Sequence, residues 1–203
     1  MSEHPKHIDG RHGARQEERF NPERAAKLDD PARFEYLPVQ EVARLLDVPA
    51  GGKLVDFGTG TGTYAIELAR LRPDVEVTAL DELPAMLDRL RAKPTAAALA
   101  NLKLMLLGEI GDLEKKIDRV LALNVLHELG DEALRNLGAL LNLKPHGAAL
   151  FIDWNAEVER PVGPPADHVY TPGEARARLE RMGFEIETEH SFPYHYCFRV
   201  RRG

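Results

Sequence analysis

Lys53-Leu54-Val55-Asp56-Phe57 is a short apolar run, and Gly58-Thr59-Gly60-Thr61-Gly62 follows it without a gap. The run reads as a buried strand, and the glycines as a turn that brings the backbone close to something. After the turn, Ala65, Leu68 and Ala69 fall on one face of a helix reaching about Leu71. Strand, glycine turn and helix open a doubly wound sheet, which holds ligands beyond the carboxyl ends of its strands. Upstream, Pro49-Ala50-Gly51-Gly52 ends a helix in which Phe34, Leu37, Val42, Leu45 and Leu46 recur at helical spacing after Pro31.

The alternation continues downstream. Val75, Val77 and Ala79 predict a strand ending at Asp81, and Pro84 opens a helix with Met86, Leu87 and Leu90 inward. Leu102, Leu104 and Leu106 predict a strand ending near Glu109, and residues 118–124 another. Asp131 begins a helix carrying Leu134, Leu137 and Leu141, and residues 148–153 form the next strand. Thr171-Pro172-Gly173-Glu174 is a capping box with proline at the first helical position. Two strands then follow, about 184–189 and 196–201, with too few residues between them for a crossover, so they pair antiparallel. The expected fold is α/β: a doubly wound, seven-stranded, mostly parallel sheet with an antiparallel C-terminal hairpin at one edge. Residues 1–20 read as a polar tail and residues 21–203 as a single domain, with 21–50 a helical cap and 51–203 the α/β core.

Composition narrows the function. The 203 residues carry 27 Lys+Arg against 33 Asp+Glu, a formal net charge of −6. That balance argues against broad binding to nucleic acid or to an anionic membrane. A single cysteine, Cys197, excludes an intramolecular disulfide and multi-cysteine zinc sites. No apolar run is long enough to span a bilayer, and no apolar signal segment opens the chain, so a cytoplasmic protein is expected. His4, His7 and His12 lie in the tail, where spacing alone cannot set metal geometry, and no metal site is expected. Oligomeric state is not legible.

The glycine loop selects its ligand by charge and spacing. A dinucleotide fold places glycines as G-x-G-x-x-G, whereas here they alternate and Thr63 stands at the third position. The Gly-Lys-Ser/Thr of a phosphate-binding loop is missing. Asp56, two residues before the first glycine, would repel a pyrophosphate and attract a cation such as an ammonium.

Asp56-x-Gly58-x-Gly60-x-Gly62 resembles the first motif of the class I S-adenosylmethionine-dependent methyltransferases. The resemblance implies that Asp56 lies near the amino group of the cofactor's methionine end, while the backbone of Gly58, Gly60 and Gly62 lines the cofactor. It implies that Asp81, with Glu82 beside it, holds the ribose hydroxyls and that Met86 packs on the adenine. Glu109 and Ile110 match, more loosely, the position near the adenine amino group, and Asn124 at the end of the fourth strand joins the cofactor set. Leu143-Lys144-Pro145-His146-Gly147 is similar to the family's turn before the fifth strand. S-adenosylmethionine is the cofactor so implied.

Methyl transfer from a sulfonium needs alignment and exclusion of water; a base is required only when the acceptor must lose a proton. The acceptor pocket is expected from the loops after strands four and five and from the N-terminal segment as a lid. His127 reads as a base or donor to substrate, or as an organiser of its loop. Asp153 ends a buried strand and either meets the substrate or pairs with a basic neighbour. Tyr36, Trp154 and His168 complete the substrate-binding candidates, and Tyr194, His195 and Tyr196 read as packing residues at the sheet edge. A methyltransferase acting on a small molecule is the reading that follows. The alternative is a non-catalytic S-adenosylmethionine-binding sensor or activator subunit.

Overall fold

The structure, a computed structural model, describes residues 25, 27–113, 117–141 and 146–203. The tail histidines and most of the Leu143–Gly147 turn lie outside the described residues. Seven strands form one sheet: β1 (Lys53–Phe57), β2 (Glu76–Asp81), β3 (Leu102–Leu106), β4 (Arg119–Leu123), β5 (Ala148–Trp154), β6 (Phe184–Ser191) and β7 (His195–Arg202), in the order β3-β2-β1-β4-β5-β7-β6. Strands β1 to β5 pair parallel; β7 is antiparallel to both β5 and β6.

The doubly wound expectation therefore holds, with one adjustment at the hairpin. β7 inserts between β5 and β6, so His195 and Tyr196 stand on an inner strand and not at the sheet edge, with Tyr194 in the turn just before it. Strand order reverses beside β1, whose neighbours β2 and β4 are reached in opposite directions. That switch point lies beyond the carboxyl ends of Phe57 and Leu123, where a doubly wound sheet leaves a crevice.

The expected single helix after Pro31 is two: α1 (Arg33–Tyr36) and α2 (Val39–Leu46). Pro38 precedes α2 with an extended backbone, and proline disfavours helix at the residue before it. Leu37 ends α1 at φ −141°. The cap is tied to the core by α3 (Thr63–Leu71), whose Tyr64 hydroxyl donates to the Leu37 carbonyl at 2.7 Å. Further helices are α4 (Pro84–Arg91), a short α5 (Pro94–Ala97) that the sequence reading missed, α6 (Asp131–Leu141) and α7 (Pro172–Arg181). The capping box at Thr171 and Glu174 is formed as expected.

Strand alternation divides the core in two. Leu54, Val77, Ala79, Leu121, Leu150 and Ile152 face the cap and α3. Val55, Leu80, Val120, Ala149 and Phe151 face α6 and α7. A side chain near a strand's carboxyl end is thus assigned to one face by its parity.

Candidate active site

The glycine loop adopts a conformation that only glycine enters without strain. Gly58, Gly60 and Gly62 have φ of +74°, +56° and +74°. The N–H groups of Gly58 and Thr59 donate to the Leu80 carbonyl at 2.8 and 2.9 Å, so the loop is an extension of the β1–β2 pairing. Gly60 donates to Asp81 Oδ2 at 2.8 Å, and Leu83 to Asp81 Oδ1 at 2.9 Å. Each Asp81 oxygen keeps a further lone pair, so the carboxylate can still accept two hydroxyls.

Asp56 is buried at the end of β1 and accepts from the Thr59 hydroxyl at 2.6 Å. Burial pushes its carboxyl up to about 6, and the nearby Asp81 charge adds to the rise; the Thr59 bond and the Arg33 charge oppose it. Such a group gains most from a bound cation, because the charge is already desolvated. Burial also raises Asp81, with Glu82 adding to the effect.

The cap closes over this loop. Asp29 Oδ1 accepts from the Thr61 and Thr63 hydroxyls at 2.7 and 2.9 Å and from Lys93 Nζ at 2.6 Å. A Cβ placed on Gly60 would meet only the Leu28 side chain, at 3.1 Å. Leu28 thus lies against the side of the central glycine that a side chain would occupy. Arg33 reaches the same place: its Nη1 donates to the Leu28 carbonyl at 2.7 Å, and its guanidinium lies 4.8 Å from the Tyr64 ring centroid. Sequence reasoning missed Leu28, Asp29, Lys93 and Arg33. Leu28 and Asp29 lie just before α1, Arg33 opens it and Lys93 follows α4, and none of the four belongs to a motif.

The remaining candidates sort by position. Met86 is buried on α4, and Glu82 is exposed. Glu109 and Ile110 lie on the 3₁₀ turn after β3, where Glu109 accepts from the Leu106 N–H at 3.1 Å. Asn124 has φ +57°, and its buried Oδ1 has no hydrogen-bond partner among the described residues. A buried carbonyl oxygen without a donor is costly unless something else supplies one.

His127 and Asp153 meet across 26 residues. His127 Nδ1 stands 2.9 Å from both Asp153 oxygens, its backbone N–H donates to Oδ2 at 3.0 Å, and the Trp154 N–H donates to Oδ1 at 2.7 Å. With Nδ1–H donating to Asp153, the neutral ring carries its lone pair on Nε2. Burial by itself would lower the imidazole pKa. The charge and hydrogen bond of Asp153, with Glu128 beside it, outweigh burial and hold it above its ordinary value. Asp153 therefore has its basic partner, and that partner is the candidate base.

Trp154 is buried on the opposite face, with its ring centroid 4.1 Å from that of His195 and 6.1 Å from that of Tyr36. Tyr36 also stacks against His195 and meets Tyr194, at centroid distances of 5.8 and 5.3 Å. His195 is 1% exposed, neither ring nitrogen has a hydrogen-bond partner among the described residues, and burial pushes its pKa down to about 3. His168 lies on an exposed 3₁₀ turn, its Nε2 3.9 Å from Asp167.

The acidic pair at the ends of β1 and β2, the positive-φ loop and the strand order are what a zwitterionic nucleoside cofactor needs. Residues 27–197 match the methyltransferase domain family. The chain belongs to that family. A crystal structure of an S-adenosylmethionine-dependent methyltransferase from Aquifex aeolicus superimposes on the methyltransferase domain with a TM-score of 0.80. It is 26% identical and covers 91% of this chain and 100% of that one. An O-methyltransferase family protein from Burkholderia thailandensis shares the fold, with a TM-score of 0.65 at 21% identity over 88% of this chain and 59% of that one. Release factor glutamine methyltransferase from Escherichia coli (strain K12) is 35% identical over 71 residues, 35% of this chain. That match spans only 25% of the length of the relative. The methyltransferase domain is of the class I, S-adenosylmethionine-dependent kind, as the alternating glycines and Asp56 implied. Its residues fit that cofactor: Asp56 is a desolvated carboxylate with no cation in contact among the described residues, and Asp81 retains acceptor capacity. No helix among the described residues is long and apolar enough to cross a membrane.

Proposed function

We propose that the methyltransferase domain moves a methyl group from S-adenosylmethionine to an oxygen of a small-molecule acceptor, with His127 as general base. The observation that carries the reading is the His127–Asp153 pair at the ends of β4 and β5. Bound S-adenosylmethionine supplies an electrophilic methyl group on a sulfonium. An alcohol or phenol attacking it must shed a proton, and a base positioned for that step is worth roughly 10²–10⁴ in rate. Asp153 orients the ring, leaves Nε2 to accept the proton and stabilises the imidazolium that results.

Asp56 and the glycine loop would hold the methionine end, Asp81 the ribose, and Leu28 would exclude water from above. Met86, Glu109, Ile110 and Asn124 would surround the adenosine. Tyr36 and Trp154 would wall the acceptor side. The net charge of −6 favours an acceptor that is not a polyanion. Cys197, buried and unpaired, fits a reducing compartment such as the cytoplasm.

The test is label transfer. Purified protein is incubated with methyl-labelled cofactor and an extract, and the products are separated by mass. Label in the low-mass fraction supports the reading. Label in a polypeptide would redirect it to a protein acceptor, the class named by the release-factor relative. Cofactor binding without any label would leave a sensor or activator subunit.

A further inference from the structure

Arg178 lies on α7 and is 5% exposed, the only arginine so deeply buried among the described residues. Its Nη1 donates to the Leu126 carbonyl at 3.3 Å and to the Tyr170 hydroxyl at 2.5 Å. Its Nη2 donates to the Leu129 carbonyl at 2.5 Å and reaches Asp131 Oδ1 at 3.5 Å. Leu126 and Leu129 bracket His127 and Glu128 in the turn after β4. That turn closes on itself, because the Glu128 and Leu129 N–H groups both donate to the Val125 carbonyl. A guanidinium is planar and its donors form a rigid fork, so it sets the spacing of the two carbonyls it bridges. A buried cation is costly to hold among neutral partners, and Asp131, itself exposed, is the one carboxylate in reach among the described residues. A serine or asparagine could close such a turn without burying a charge.

The turn so held carries the candidate base. Asp153 grips His127 from β5, through Nδ1 and the backbone N–H, while Arg178 grips the carbonyls on either side of the 127–128 pair from α7. Tyr170 brings in the chain after β5: its hydroxyl takes an Arg178 donor and its carbonyl accepts from the Ala156 N–H at 3.1 Å. The opposite ring nitrogen of His127, Nε2, lies 3.7 Å from Glu128 Oε1. A ring that slips from Asp153 therefore has a second carboxylate to donate to, in the tautomer that leaves no lone pair on Nε2. We propose that Arg178 is a positioning residue for methyl transfer: it fixes the turn after β4 so that His127 keeps Nδ1–H on Asp153 and its Nε2 lone pair for the acceptor's proton. The assignment rests on His127 acting as the base. Arg178 touches neither cofactor nor acceptor in this role and acts through His127 alone.

The experiment reads the tautomer directly. Two-bond proton–nitrogen correlation spectra are recorded on histidine-labelled protein without cofactor, above the titration midpoint of His127, whose signals are assigned by their loss in His127→Gln. Wild type is expected to show Nδ1–H, and Arg178→Met a mixture in which Nε2–H is prominent. Label transfer to the low-mass fraction should fall at least about tenfold in Arg178→Met, part of what a positioned base supplies. The apparent KM for S-adenosylmethionine should stay within about twofold, since cofactor binding is not what is lost. Arg178→Lys should recover part of both signals. If Arg178→Met fails to fold, Arg178→Lys carries the test with the same signs, because one nitrogen cannot bridge both carbonyls. Leu179→Ala, the fully buried neighbour on α7, is the control and should lower the melting temperature without moving the tautomer. Wild-type tautomer and rate in the folded variant would overturn the proposal, as would a tautomer shift of equal size in Leu179→Ala. A wild-type rate in His127→Gln would sink the base itself, and is read separately from the tautomer.

Discussion

Gly60 donates its backbone N–H to Asp81 Oδ2 at 2.8 Å, joining the loop after β1 to the end of β2. The two acidic and glycine motifs are therefore one structural unit, and Asp81 has two tasks. It orders the loop and still has acceptor capacity for a ribose diol. Asp81→Ala should weaken S-adenosylmethionine binding by roughly tenfold to a hundredfold, the range for hydrogen bonds to a charged group, and lower the melting temperature slightly. Calorimetric titration of the folded variant checks it. An unchanged dissociation constant would move the ribose contact elsewhere, with Glu82 the first residue to test.

Asp56 should make stability fall with pH. Its folded pKa of about 6 lies above the ordinary carboxylate value of 3.8. Between those values the folded state keeps a proton that the unfolded state has lost, so stability is full below the lower value and declines as pH rises through the upper one. Asp56→Asn removes that slope. The variant should melt higher than wild type at pH 8, match it near pH 4, and bind the cofactor more weakly at pH 8. Wild-type affinity should fall as pH is lowered through about 6, because the protonated carboxyl no longer opposes the ammonium. Melting curves and titrations across that range decide the matter; a variant no more stable at pH 8 would contradict a desolvated charge.

Gly60 and Gly62 should fail differently. A Cβ on Gly62 would stand 2.4 Å from Leu90 Cδ1, and Leu90 is fully buried. Overpacking of that kind costs typically 1–3 kcal/mol, and φ of +74° adds strain. Gly62→Ala should therefore lower the melting temperature markedly. A Cβ on Gly60 meets only the end of Leu28, so Gly60→Val should lose cofactor binding out of proportion to its loss of stability. Paired denaturant melts and titrations separate the two, and near wild-type affinity in folded Gly60→Val would reduce the loop to a turn.

His127 should titrate above its ordinary value of 6.5, because Asp153 outweighs the opposing effect of burial. The stability that the pair contributes is present below the unfolded pKa and lost as pH rises through the folded one. Catalysis needs the unprotonated ring, so label transfer to the low-mass fraction should rise with pH through that same folded value. His127→Gln should remove that dependence with most of the rate. An NMR titration of the imidazole locates the midpoint directly, and a midpoint below 6.5 would exclude the ion pair as drawn.

What the sequence determined is whatever short spacing encodes. Alternating strand and helix signals, Gly58-x-Gly60-x-Gly62 behind Asp56, and the absence of room for a crossover before β7 are local; together they specified the sheet, and the family resemblance carried by the glycine motif implied the cofactor. Pro38 was legible too, but the apolar spacing across it suggested one helix where the chain makes two. What only tertiary structure decided is which distant groups meet and how far water is excluded from them. His127 finds Asp153, Asp29 finds Lys93, and Leu28 comes to lie against Gly60, because the sheet brings strand ends together and the cap folds back over them. The charge state of Asp56 belongs to the same class. Its pKa depends on desolvation and on the placing of Asp81, Thr59 and Arg33, and no pattern of residues along the chain measures either.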